Sequence, residues 1–147
     1  MSLIRWNTLF YNVVFALNCL LLFLAVFGET LQVPILLQIT GRMHPLVLHF
    51  PIVLLLLAIV WETAVKAKDS PLYRTTGDTL LLSAALSAVV AALMGLFLSQ
   101  EEGYDAEALF GHKWSGVSVA LLSWGWYSYR ERIRQTRWAA WAIAAGS

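Results

Sequence analysis

Charge is what this 147-residue chain has least of: Asp, Glu, Lys and Arg together make up 13%, against about 25% in a typical soluble domain. Residues 9–27, 45–61, 79–98 and 114–129 carry none at all. Cysteine is reduced to Cys19, which excludes an intramolecular disulfide, a cysteine-rich zinc site and the C-x-x-C-H attachment of c-type haem within this chain. No Ser-His-Asp order, phosphate loop or H-E-x-x-H string occurs, so hydrolase and nucleotide-binding readings have no motif behind them. What remains is apolar: 59% of residues are hydrophobic and the mean hydropathy is +0.68. A soluble monomer, a disordered chain and a nucleic-acid binder do not have this composition. The fold class it implies is all-α, a polytopic transmembrane helical bundle.

The four charge-free runs approach or reach the 17–25 residues that a helix needs to cross a bilayer, the fourth being slightly short. They are read as four spans. The first is too long for the apolar region of a secretory leader, and Phe27-Gly28-Glu29 is followed by no small-x-small cleavage pattern. That point reads as a helix end. The apolar piece 31–39, broken by Pro34, is too short to span and is expected at the interface. The last ten residues, 138–147, are apolar again and too few to cross. They are expected to open a fifth span cut short at Ser147, the alternative being an interfacial tail anchored by Trp138 and Trp141.

Orientation follows from Lys and Arg, which collect on the cytoplasmic side of short loops. An N-terminus inside puts Arg5, Lys66, Lys68, Arg74, Arg130, Arg132, Arg134 and Arg137 in the cytoplasm and leaves Arg42 and Lys113 outside. The chain is therefore expected in a bacterial inner membrane, N-terminus in. The loop with Glu101, Glu102, Asp105 and Glu107 faces out, as a solvated turn or a docking point for a basic partner. In the third run, Ser83, Ser87, Ala91 and Gly95 recur every four residues beside a second row of Ala84, Ala88 and Ala92. Such a small-residue face lets a neighbouring helix approach closely, or a flat cofactor lie against it. Gly116 and Ala120 offer a shorter patch of the same kind.

Three histidines, His44, His49 and His112, all fall toward the outer side. His49 lies within a run, where an ionisable side chain usually faces the bundle and often marks function. Pro51 leaves the carbonyl of Val47 without its helical donor and should open space nearby. His49 is thus a ligand to haem iron or another metal, a neutral histidine bonded to a neighbouring carbonyl, or a proton-relay residue. His44 and His49 are five residues apart, about 140° around a helix, and cannot readily bind one iron from opposite sides. A bis-histidine haem needs His49 or His44 with a partner such as His112, which is otherwise an interfacial cap. No carboxylate or thiolate sits at a matching spacing for an all-protein zinc site.

Gly41-Arg42-Met43-His44-Pro45-Leu46-Val47-Leu48-His49-Phe50-Pro51 resembles the HP…HFP signature of a family of small bacterial membrane domains of unassigned function. Ser99-Gln100-Glu101-Glu102-Gly103-Tyr104-Asp105, followed by His112-Lys113-Trp114, resembles the version found N-terminal to planctomycete-type cytochrome c modules. The resemblance runs from about residue 41 to 129. It implies a fifth span with further histidines, a following cytochrome c domain, and a membrane-embedded electron-transfer module with b-type haem near the periplasmic side. His44, His49 and His112 are the matching positions. Partners on this expectation are the lipid bilayer, a cytochrome c domain or respiratory-complex subunits, and quinone. The competing expectation is a non-catalytic membrane anchor or accessory subunit of such a complex.

Overall fold

A computed structural model describes residues 2–28, 34–64, 70–101 and 105–145, with side chains described from residue 7 to 133 within those ranges. Expectations resting on Glu29, Lys66, Lys68, on residues 102–104, and on the side chains of Arg5, Arg134, Arg137, Trp138 and Trp141 lie outside the described residues. The described elements are six helices: α1 (Ser2–Phe27), α2 (Ile35–Gly41), α3 (His44–Val47), α4 (His49–Ala64), α5 (Pro71–Leu98) and α6 (Ala106–Ala145). No strand occurs among them. Among the described residues three segments are long and apolar enough to cross a membrane, Asn7–Phe27, His44–Ala64 and Pro71–Leu98. They contain the first three charge-free runs, the second extended to take in Glu62 and the third to take in Arg74 and Asp78.

α5 is the central element and packs against all the others. It can do so because its small-residue face is buried: Ala84, Ala85, Ala88 and Ala91 admit neighbours from several sides. α1 presents a single stripe to it, Val14, Asn18, Leu21 and Ala25, spaced to stay on one face. The core forms two layers along the bundle. Leu21, Ala25, Ala88, Val89, Leu93, Val117 and Ala120 make one; Val14, Ala58, Leu81, Leu82, Ala85 and Tyr127 make the other. α4 buries only Pro51 and Ala58 and turns Phe50, Val53, Leu56, Leu57 and Val60 outward. A surface this apolar belongs against lipid rather than water.

Local signals set the helix ends. Ser70 caps α5, its hydroxyl accepting from Tyr73 N at 3.1 Å, with Pro71 in the first turn. Asp105 caps α6 in the same way, accepting from Ala108 N at 2.8 Å. Between α3 and α4 the helical ladder lacks one bond, because Pro51 has no N–H for the Val47 carbonyl, but Leu48 itself stays helical and donates to His44 O at 2.9 Å. Pro51 then falls in the first turn of α4, where a missing N–H is tolerated. At Gly41 the end of α2 meets the backbone of α5, and a Cβ there would lie 2.7 Å from Leu98 N.

The fourth charge-free run and the terminal apolar stretch are parts of one 40-residue helix, α6, and are not separate elements joined by a loop. The reason is local: neither glycine nor proline occurs between Gly125 and Gly146, and the intervening arginines, Glu131 and Gln135 are good helix formers. The run at 114–129 is also diluted by Ser, Gly, Trp and Tyr, and α6 is not among the helices apolar enough to span.

Candidate functional site: an imidazole pair at one end of the bundle

Five residues apart on a nearly continuous helical path, His44 and His49 point to different sides. His44 begins α3 and turns onto α5, where its Nδ1 lies 2.8 Å from the carbonyl oxygen of Ala91. A carbonyl only accepts, so Nδ1 carries the proton and Nε2 holds the lone pair. That Nε2 is buried and has no hydrogen-bond partner. Gly95, one turn beyond Ala91, lies under the ring, and a Cβ there would come within 3.1 Å of His44 Cε1. The Gly95 end of the small-residue stripe thus makes room for an imidazole.

His112, in the second turn of α6, completes the pair. Its ring centre is 5.7 Å from that of His44, with the planes at 86°. A cavity of about 240 Å³ adjoins both rings, lined also by Gly95, Ser99, Asp105 and Leu109. A smaller recess of about 30 Å³ touches the same two histidines together with Ala92 and Gly116. The cavity opens outward past the exposed Ala108 and His112. Arg42 and Glu101 pair at 2.9 Å between the α2–α3 corner and the end of α5.

His49 is not part of this pair. It is exposed on the outer face of α4, and its Nδ1 bonds the carbonyl of Pro45, one turn back, at 2.8 Å. Of the three sequence candidates the structure brings together His44 and His112 and leaves His49 apart. Among the described residues no three His, Cys, Asp or Glu side chains are grouped closely enough to hold a metal ion by themselves.

A second polar cluster, unforeseen in the sequence, ties α4, α5 and α6. Arg130 pairs with Glu62 and lies 3.2 Å from Asp78. Its guanidinium stands 5.0 Å over the Tyr73 ring, and the Tyr73 hydroxyl donates to Glu62. Trp61 stacks on Tyr73 and donates its indole N–H to the Tyr73 carbonyl at 3.1 Å. Gly77 leaves the space the guanidinium fills, since a Cβ there would be 2.6 Å from Arg130 Nη2. The signal was Gly77 four residues after Tyr73, next to Asp78. In the sequence Arg130 counts only toward topology.

Apolar outer surfaces, a small-residue central helix and a pairing of half-buried His44 with exposed His112 define an all-helical membrane protein with a single histidine-lined site among its described residues. Residues 41–147 match the model of the DUF2231 family, described as a predicted membrane protein, and the chain belongs to that family. The match begins three residues before His44 and takes in the whole pair, bearing out the resemblance read from the HP…HFP string. Comparisons with curated proteins and with solved structures find no match.

Proposed function

We propose that the chain is a membrane-embedded electron-transfer module in which His44 and His112 hold b-type haem. The observation that carries this reading is the buried, partnerless Nε2 of His44 on a ring that stands 5.7 Å from a second imidazole on another helix. Histidines that ligate metals commonly donate their other ring N–H to a carbonyl, as His44 does to Ala91. Two imidazoles on opposite sides of one iron, each bound through nitrogen at about 2 Å, would have ring centres slightly over ~6 Å apart, so the pair, now at 5.7 Å, would have to part by a few tenths of an ångström. The donor set therefore suits iron ligated by two histidines. The cavity beside the rings is smaller than the roughly 300–1,000 Å³ of a typical ligand pocket, so a macrocycle would extend into its outward opening.

Haem would supply one-electron chemistry at its iron. The protein's part is to orient His44 through Ala91 and Gly95, to bring His112 alongside, and to keep water from the buried nitrogen. The module is read as four spans in a bacterial inner membrane, N-terminus inside and the pair on the periplasmic side. The lysine and arginine bias supports that orientation. The shared depth of the end of α4, the start of α5 and Arg130 supports α6 returning to the inner side.

A pyridine haemochrome assay and a reduced-minus-oxidised spectrum of the purified chain test the reading. Protohaem is expected in the wild type and in His49→Ala, and absent from His44→Ala and His112→Ala. Well-folded, haem-free wild-type protein would refute it and leave the non-catalytic anchor.

A further inference from the structure

We infer that the His44–His112 pair also binds a bare divalent transition-metal ion of the copper–zinc class whenever no porphyrin occupies it, so that such ions compete with haem for the site. The inference rests on the reading of these two imidazoles as metal ligands, but not on haem itself. The contact with the Ala91 carbonyl occupies Nδ1 of His44 and leaves Nε2 as the ring nitrogen available to a metal. Gly95 and Ala91 fix the ring from below, so little freedom is lost on binding. The His112 ring takes no protein hydrogen bond among the described residues and must give up only water. Its distance from His44, 5.7 Å between ring centres, is close enough for one ion to reach a nitrogen of each.

The space sets the remaining coordination. A cavity of about 240 Å³ is room for an ion and several waters, each taking about 30 Å³. No third protein ligand is grouped with the pair among the described residues, so water fills the other positions. Asp105 on the cavity wall and Lys113 on the adjoining recess bring opposite charges to the pair, so the imidazole nitrogens and not net charge set the preference. Imidazole nitrogen selects against Mg²⁺ and Ca²⁺, which prefer all-oxygen sites, and for Cu²⁺ and Zn²⁺. Among divalent ions, affinity should peak at Cu²⁺.

The test is Cu²⁺ binding to the full chain in detergent, prepared without haem, in a Cys19→Ser background that removes the thiol. Electron paramagnetic resonance should show coupling to two imidazole nitrogens. Affinity should fall about tenfold or more in His44→Ala and in His112→Ala, a loss at least as large as that for an orienting contact. It should be unchanged in His49→Ala, and Mg²⁺ should not compete. Haem-loaded protein should bind Cu²⁺ no better than the two alanine variants. Copper binding that survives both substitutions, or is lost with His49, overturns the inference. Haem without a copper site at the pair overturns it while leaving the electron-transfer reading in place. A copper site in a chain that never takes up haem upholds it and removes the haem reading.

Discussion

Gly95→Ala should separate the stability of the fold from the integrity of the imidazole pair. The new Cβ would lie 3.1 Å from His44 Cε1 and 3.3 Å from Nδ1. Ordinary contact then requires the ring to retreat by a few tenths of an ångström. The bond to Ala91 O, now 2.8 Å, stretches toward the ~3.2 Å limit of a normal N–H···O contact. A hydrogen bond of this kind contributes about 0.5–1.5 kcal/mol, and only part of it is lost. Replacing glycine by alanine inside a helix recovers about 1 kcal/mol. The melting temperature should therefore barely move. Retention of the bound group should weaken by a few-fold, since a full loss of 1.4 kcal/mol is about tenfold. Gly95→Leu fills the space of the ring itself and should abolish binding while helix content is kept. Thermal unfolding by circular dichroism, beside haem content or copper affinity for each variant, reads both effects. A Gly95→Leu protein that folds and binds like wild type would refute the argument that Gly95 seats His44.

Gly41→Ala places a Cβ 2.7 Å from Leu98 N and 3.0 Å from Met94 O, backbone atoms that cannot swing aside; a loss of about 1–3 kcal/mol is expected, together with loss of binding at His44. Arg130→Ala leaves Glu62 and Asp78 without their shared cation and should cost about 3 kcal/mol or more in a reversible unfolding assay; Arg130→Lys should rescue only partly, because an ammonium cannot reproduce the planar fork. Ala91→Leu, at a position 2% exposed, should impair folding far more than Ala16→Leu on the exposed face of α1. Glu107→Cys in a Cys19→Ser background should react with a membrane-impermeant maleimide in intact spheroplasts; labelling only after lysis would reverse the orientation.

The spanning helices were legible because membrane solvent imposes one rule, a long uncharged run, and α1, α4 and α5 obey it. The role of α5 was legible too, since Ala84, Ala88 and Ala91 had no reason to recur at helical spacing except close packing. The continuity of α6 was not, because the arginines after Tyr129 read as a loop by charge while by helix propensity they read as helix. Arg130 shows why the second reading prevailed. Its charge is met by Glu62, Asp78 and the Tyr73 ring, so it need not leave the helix to reach water.

The histidines carry a sharper lesson about what a membrane span reveals. Position along the chain favours His49 over His44, because His49 lies deeper in the apolar run and nearer Pro51. Depth alone does not say which side of a helix a residue occupies. Leu48 is helical and bonded back to His44, so the two residues lie on one nearly continuous helix about 140° apart, and the packing of α3 on α5 decides which of them faces the bundle. What could have found His44 is the other partner. The stripe on α5 ends at Ala91 and Gly95, where the space left by a missing side chain is the size of an imidazole and the Ala91 carbonyl is within reach of a ring N–H. A small-residue stripe is read as a place for another helix. At its Gly95 end this one seats a histidine, and the nitrogen left bare there is the strongest chemical signal among the described residues.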